Sequence, residues 1–420
     1  KGHPQIVERL FDLLTNETMH CCNKQLTHGT LFRFLSLAIV MMSTRQLLGR
    51  RVMGFSTTLV TKAPRRSPFP SSQTRFASNN PSRIFGTDTG PNMLQGITKE
   101  LDSLVVTVIV DNESDTMSSG LQNVEGFAYQ PERQNLQPGV TMCRAGHGFS
   151  LLLTGTCGSE SHSLLVDAGP DPELWKNNAE KLGVDAGGID AVVLSHYHWD
   201  HAAGLRGAIP VICEKKPKPV LVDLQCSEIT SRGRPSEEGD VSRITLHKPD
   251  NPSAMELTSL GARAEKHSDE HNLCDDFFYI SGYIPRVSDY EMGIPNHASL
   301  VGGKWVLDEE IADERYVACK VKGRGVVVFS SCSHAGITNV CRDVTERANA
   351  PLWGVIGGFH LGGKAVEGRI ARTVKDLKDM NPAVVLAGHC TGWRAKAHLA
   401  TELEDRFQPL AVGARYVFSA

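Results

Sequence analysis

The pattern of apolar and polar positions changes near residue 102. Beyond it, short β-branched runs alternate with segments whose apolar residues recur at helical spacing. Leu104–Val110 predicts a strand ending at Asp111-Asn112. Phe149–Thr154 and Ser163–Val166 predict a hairpin, with Gly155-Thr156-Cys157-Gly158 between them. Ala168-Gly169-Pro170 then breaks the strand pattern and releases the chain into a helix over Glu173–Leu182. Further strands are expected at Ala191–Leu194, Asp276–Ser281, Tyr316–Val321, Gly325–Ser330 and Ala383–Leu386. A helix is expected over Gly368–Met380, where Ile370, Val374, Leu377 and Met380 can cover a sheet, and another over Leu399–Phe407. Residues 207–275 have no clear period. Lys215-Lys216-Pro217-Lys218-Pro219 predicts an exposed connector, Ser231 to Asp240 is polar and glycine-containing, and Asp250-Asn251-Pro252-Ser253 predicts a turn before a short helix. This section is expected to cover the entrance to a site.

The strand Ala191–Leu194 runs directly into His196-Tyr197-His198-Trp199-Asp200-His201. Alternating His196 and His198 can point the same way from a strand end, while Asp200 and His201 follow where the chain turns. Imidazole nitrogen and carboxylate oxygen suit zinc and its first-row neighbours, so these four side chains can begin a one- or two-metal site. A metal ion there would lower the pKa of bound water and polarise a reacting bond.

HxHxDH after a hydrophobic strand, with Asp167-Ala168-Gly169 upstream, resembles the metallo-beta-lactamase superfamily. Five further segments resemble its 7,8-dihydropterin-6-methyl-4-(beta-D-ribofuranosyl)aminobenzene-5'-phosphate synthase-like branch. They are His147-Gly148-Phe149-Ser150, Ser281-Gly282-Tyr283-Ile284-Pro285-Arg286, Cys332-Ser333-His334-Ala335-Gly336, Gly357-Gly358-Phe359-His360 and Gly388-His389-Cys390-Thr391-Gly392. The resemblance implies an α/β fold, the metallo-beta-lactamase-like αββα sandwich, over residues 102–415, with 416–420 as a C-terminal tail. It also implies that His196, His198 and His389 help hold one metal ion, that Asp200 and His201 help hold another, and that His334 is a further ligand. Zinc is the expected metal, as one or two ions, with manganese or iron as alternatives.

This chain departs from the commonest superfamily pattern in one place. A Gly-Asp pair often ends the strand corresponding to Val326–Ser330, its carboxylate bridging two metals; here the text is Ser330-Ser331-Cys332-Ser333-His334. His334 replaces that acid or occupies a separate histidine position, and Cys332 is either a ligand for a soft metal or a small buried thiol. Asp167 is expected to orient a ligating histidine or to stabilise its own turn.

Asp200 can ligate metal or position water, and His360 can transfer a proton or bind substrate, ligate metal directly, or make a structural hydrogen bond. His147 is a substrate-binding candidate or a strand-turn contact, and Arg286 either binds substrate through the donor fork that suits phosphate and carboxylate or forms an internal salt bridge. The leading expectation is a metal-dependent hydrolase, acting on a phosphoester or another small anionic substrate through metal-bound hydroxide. A pterin-dependent transferase like the named synthase and a nonenzymatic metal- or ligand-binding protein are the alternatives.

Composition adds limits. A chain of 420 residues with 39 glycines and 21 prolines suits a loop-rich enzyme rather than a helical bundle. The formal charge of -3 gives no global basis for a nucleic-acid partner. The 11 cysteines contain no CxxC pair and fit a reducing compartment; Cys21-Cys22 reads as two ordinary thiols. Residues 1–101 differ in chemistry. Between Glu17 and Asp88 no acid occurs but ten basic residues do, among prolines, serines and threonines. This predicts a weakly ordered extension, and from Met42 onward the text resembles a mitochondrial transit peptide. A mitochondrial or cytoplasmic location is expected. Leu31 to Met42 is too short and interrupted for stable membrane insertion.

Overall fold

Along the strand Gly325–Ser330, Val327 and Phe329 enter one core while Val326 and Val328 enter another. The same division by alternate residues occurs in Glu160–Val166, where Leu164 and Val166 face one core and Leu165 the other. A strand that is apolar on both faces must be covered on both, and this requirement produces the four layers of the molecule. The computed structural model describes residues 96–420 apart from Glu228. The expected N-terminal extension, its targeting segment, Cys21-Cys22 and Leu31 to Met42 lie outside the described residues.

Two eight-stranded mixed sheets pack face to face. In the first, the order runs from Arg263–His267 through Leu221–Gln225, Ala191–Val193, Glu160–Val166, Ser150–Cys157 and Ser103–Val110 to Arg415–Ser419 and Phe127–Gln130. The second runs from His271–Leu273 through Phe278–Ile280, Val317–Val321, Gly325–Ser330, Leu352–Gly358 and Val384–Gly388 to Phe407–Pro409, with Glu100–Leu101 beside Val317–Val321. Between them lies a dry layer that includes Val106, Leu151, Val193, Ile280, Phe329 and Leu386. Each fully buried side chain of this kind contributes on the order of 1.5–3 kcal/mol. Helices Pro172–Lys181 and Leu205–Glu214 cover the outside of the first sheet, and Ile337–Ala348, Ile370–Met380 and Trp393–Leu403 cover the second. This is the αββα sandwich of the metallo-beta-lactamase fold.

Three differences from the sequence expectation have physical causes. The final helix spans Trp393–Leu403 rather than beginning at Leu399, because Ala395, Leu399 and Leu403 form its buried stripe despite the polar residues between them. Residues 416–420 are not a tail. Arg415–Ser419 inserts between Ser103–Val110 and Phe127–Gln130, burying Tyr416 and Phe418. Part of Ser231 to Asp240 is the strand Ile229–Pro235, whose polar residues include the buried Ser231 and Arg232. It belongs to a small third sheet with Ile244–His247, Ala298–Val301 and Lys304–Leu307. Polar burial there hides the strand from a hydrophobic pattern.

Candidate metal centre

The pocket-forming side chains leave the ends of strands that run parallel in their sheets. Ala191–Val193 leads to His196 and His198, and then to the short helix Trp199–Ala202 that carries Asp200 and His201. From the facing sheet, Gly325–Ser330 leads to His334, Leu352–Gly358 to His360 and Val384–Gly388 to His389. Parallel strands deliver their carboxyl ends to one edge, so residues far apart in sequence share one crevice.

His196 Nε2, His198 Nδ1 and His334 Nε2 form a nearly equilateral triangle with sides of 3.0, 3.1 and 3.2 Å. Its centre lies about 1.8 Å from each nitrogen, close to the ~2.0–2.1 Å zinc–nitrogen bond. The hydrogen bonds fix the state of His196. Ser195 Oγ donates its one proton to Asp167 Oδ2 at 2.8 Å, so it accepts from His196 Nδ1–H at 2.9 Å. Nε2 of a neutral His196 is therefore a lone pair aimed at the other two rings. Burial and the neighbouring positive groups hold His196, His198 and His334 well below the usual imidazole pKa, keeping their lone pairs free.

A second donor set lies alongside. Asn112 Oδ1 accepts from the Gly148 backbone N–H at 3.2 Å, which settles the orientation of its amide. The same oxygen accepts from His389 Nδ1–H at 3.0 Å, leaving His389 Nε2 as a lone pair. That nitrogen is 3.4 Å from Asp200 Oδ2 and has no hydrogen-bond partner. Two acceptors face each other inside the protein, an arrangement that a cation between them would satisfy. His201 Nε2 lies 3.8 Å from the same carboxylate oxygen and 3.1 Å from Cys332 Sγ. Its Nδ1 donates to buried Asp167 Oδ2 at 2.7 Å. Burial opposes charge on His201, but Asp200 and Asp167 outweigh it and raise its pKa to about 9. Metal binding to Nε2 would displace that proton.

Buried carboxylates hold the loops behind these donors. Glu314 accepts from the backbone N–H groups of His334 and Ala335 at 2.8 and 2.7 Å, and burial raises its pKa to about 7. Asp111 accepts from the His389 N–H at 2.9 Å; burial likewise raises it to about 7 against the pull of Lys396 and two backbone donors. Residue 388 must be glycine for this contact, because a Cβ there would sit 2.3 Å from Asp111 Oδ1. Ser333, His360 and His389 all have left-handed φ values, 58°, 42° and 47°. Backbone of this kind clusters where loops are shaped by a site rather than by local preference.

The two sets open onto a pocket of about 420 Å³, lined in part by His147, Lys248, His297 and His360. His147 accepts from Asn112 Nδ2 at Nδ1, 3.0 Å away, so its Nε2–H points to Asp200 Oδ2 at 3.4 Å. His360 packs its ring edge-on to His334, with centroids 4.5 Å apart. Lys248 Nζ lies 5.8 Å from the centre of the Trp199 ring on the same wall. Arg232 also lines the pocket, but its guanidinium is committed to Asp308 and Asp313.

Residues 144–210 match the family model of the metallo-beta-lactamase superfamily. That segment contains the strand Ala191–Val193 and His196-Tyr197-His198-Trp199-Asp200-His201, so the similarity to the superfamily falls on the first donors of the site. Among similar sequences, a 7,8-dihydropterin-6-methyl-4-(beta-D-ribofuranosyl)-aminobenzene-5'-phosphate synthase of Methanocaldococcus jannaschii is 28% identical over 271 residues, covering 64% of this chain and 88% of that protein. An uncharacterized protein of the same organism is also 28% identical, over 256 residues, 61% of this chain and 88% of its own. Among solved structures, Tm1679, a metal-dependent hydrolase of the beta-lactamase superfamily, aligns with a TM-score of 0.54 and 22% identity. The alignment covers 74% of this chain and 98% of that one, and shows a shared fold.

Against the superfamily pattern, the structure exchanges two expected partners. His334, not His389, completes the triangle with His196 and His198, and His389 sits with Asp200 and His147. The loop after Gly325–Ser330 carries His334 across to the first donor set. Cys332, two residues earlier, reaches the second, where its Sγ groups with His201 and His196, and with His389 and Cys390. A thiol thus stands on the loop where the usual acid is missing. Burial pushes Cys332 well up, whereas hydrogen bonds from Cys332 and His360 outweigh burial at Cys390 and bring it down.

Arg286, read as either a substrate contact or an internal salt bridge, does not line this pocket. Its guanidinium donates to the carbonyls of Ile284 and Glu310 and lies over the Tyr283 ring. Lys248, His297 and Arg232 were not singled out in the sequence. They reach the pocket from the third sheet and the segments beside it; for Lys248 and Arg232 the local signal was that residues 207–275 were expected to cover an entrance, and His297 lies beyond that region.

Proposed function

We propose that this chain is a metal-dependent hydrolase of small anionic substrates, with phosphoesters the first class to test. The observation that carries the reading is the pair of donor sets sharing one pocket, with His389 Nε2 and Asp200 Oδ2 facing each other as acceptors at 3.4 Å. His196, His198 and His334 would hold one first-row ion, and Asp200, His201, His389 and Cys332 another, zinc being the best match to this mixture of nitrogen, oxygen and sulfur. The metal would supply Lewis acidity and lower the pKa of bound water. Lys248 contributes positive charge to the wall on which an anionic substrate would rest. His360, beside His334, is placed to give a proton to a leaving group, and His147 holds Asp200 through its Nε2–H. Trp199 and Gly392 narrow the same pocket, favouring a compact substrate.

A transferase reading is favoured by the 28% identity to the synthase; in that reading an amine-bearing aminobenzene ring would displace diphosphate from an activated pterin. The two readings separate in one experiment. Metal-replete protein is tested on phosphomonoesters, phosphodiesters, lactones, thioesters and beta-lactams, then on an activated pterin with an aminobenzene acceptor, all in isotopically labelled water. Label in the product, lost with His198→Ala together with metal, supports hydrolysis. Product that requires the acceptor and carries no label supports transfer. Tight binding of one compound without turnover of any would replace both with a binding protein.

A further inference from the structure

A second constellation of metal-binding groups stands apart from the pocket. Asp223 lies on Leu221–Gln225, His267 ends the neighbouring strand Arg263–His267, and His271 begins His271–Leu273. Three residues, Ser268-Asp269-Glu270, return the chain so that the two imidazole rings lie 4.4 Å apart. His267 Nδ1 and His271 Nε2 converge on the same atom, Asp223 Oδ2, at 2.5 and 2.9 Å. None of the three lines the pocket described above.

The hydrogen bonds define what this cluster lacks. His271 Nδ1 is 3.0 Å from the Asp269 carbonyl oxygen, which can only accept, so Nδ1 carries a proton. A neutral His271 therefore presents a lone pair at Nε2 to a carboxylate oxygen. Either a second proton or a metal ion must stand between them. Both supports that a ligating set requires are already present. The ring N–H of His271 is fixed by a backbone carbonyl, and Asp223 Oδ1 is held by Arg315 Nη1 at 2.5 Å. Asp223 is fully buried, whereas the His267 and His271 side chains are 37% and 18% exposed, leaving the cluster open to solvent on the histidine side.

We propose that Asp223, His267 and His271 form an additional binding site for a zinc-class divalent ion, separate from the pocket centre. Two imidazoles and one carboxylate with an open fourth position suit zinc, nickel or cobalt, and a hard ion such as magnesium would be poorly served. Only a small opening is needed: the 2.5 and 2.9 Å nitrogen–oxygen distances must widen to roughly 3.2 Å to admit an ion with ~2.0 Å bonds. Arg315 places a positive charge against the same carboxylate, so this site binds more weakly than an uncharged His/Asp set would. Protons compete for the same nitrogens, making binding stronger at higher pH.

The test uses the full chain, stripped with a chelator and titrated with zinc at pH 8. Crystals soaked in zinc are then measured above and below the zinc absorption edge. An anomalous peak bonded to His267 Nδ1, His271 Nε2 and Asp223 Oδ2 is expected. In solution, the H267Q/H271Q variant should lose one bound equivalent while keeping those of the pocket. H198A/H334A should show the reverse, retaining the satellite ion. No peak at these atoms in crystals whose pocket is loaded overturns the proposal, as does unchanged stoichiometry in H267Q/H271Q. If the double variant does not fold, the wild-type crystal and H271Q alone, expected to lower satellite affinity at least ~10-fold, decide the matter.

Discussion

Asp167 Oδ2 accepts the Nδ1 proton of His201 at 2.7 Å, with both side chains wholly buried. The bond selects which imidazole nitrogen faces the metal donors, and the same carboxylate also holds Ser195, the partner of His196. One acid therefore orients a histidine of each donor set. Asp167→Asn is expected to lower metal affinity about 10–100-fold. Zinc titration against a competing chelator measures this loss. Affinity equal to wild type in folded protein would reduce Asp167 to a turn former.

Cys332→Ser replaces the thiol that stands 3.1 Å from His201 Nε2. Cobalt-loaded wild type is expected to show a thiolate-to-metal charge-transfer band in the near ultraviolet. The variant should lose that band while keeping the ion held by His196, His198 and His334. A spectrum unaffected by the substitution would leave Cys332 as packing only.

Gly388→Ala places a Cβ against Asp111, at 2.3 Å from its Oδ1. The strand end must shift, at a cost of about 1–3 kcal/mol, as in other overpacked cores. Denaturant melts should show that loss. Because His389 follows immediately, metal stoichiometry should fall with it.

The His271–Asp223 pair gives stability a defined pH dependence when metal is chelated. Burial disfavours charge on His271, but its bonds to Asp223 and the Asp269 carbonyl raise its pKa above 6.5. Burial likewise opposes the Asp223 carboxylate, while His271 and Arg315 hold its pKa below 3.8. The histidine contribution is full below 6.5 and is lost as pH rises through the raised value; the aspartate contribution is full above 3.8 and is lost as pH falls through the depressed one. His267 and Arg315 face the same carboxylate. Melting temperatures of wild type and His271→Gln should therefore differ most between these limits and converge on the alkaline side. A difference that persists unchanged to high pH would contradict the assignment.

Much of this architecture was legible because its strands are apolar in runs and its helices apolar in stripes. Gly325–Ser330 and Ile370–Met380 are examples in which burial on known faces writes itself into residue type. The strand-end histidines were legible for a different reason: HxHxDH concentrates four donors in a few residues. Their partners were not. Which of His334 and His389 joins His196 depends on how the two sheets face each other, and no local pattern encodes that. Arg286 was open to two readings, because a guanidinium that donates to backbone carbonyls reads the same in sequence as one awaiting an anion. Lys248 was hidden because its segment, with Arg232 buried on an ion pair, lacks the alternation that marks a strand.

The pairing of Ser103 with Ser419 makes closure of the first sheet a long-range event in folding. The first sheet joins residues from opposite ends of the described chain, and Phe127–Gln130 attaches to it only through Arg415–Ser419. A nascent chain can form the hairpin of Ser150–Cys157 and Glu160–Val166 early, and can expose HxHxDH soon after. It cannot seal that sheet until Arg415–Ser419 has left the ribosome. Until then the edge of Ser103–Val110 stays open, and an open strand edge is the part of a sheet most prone to pair with another chain.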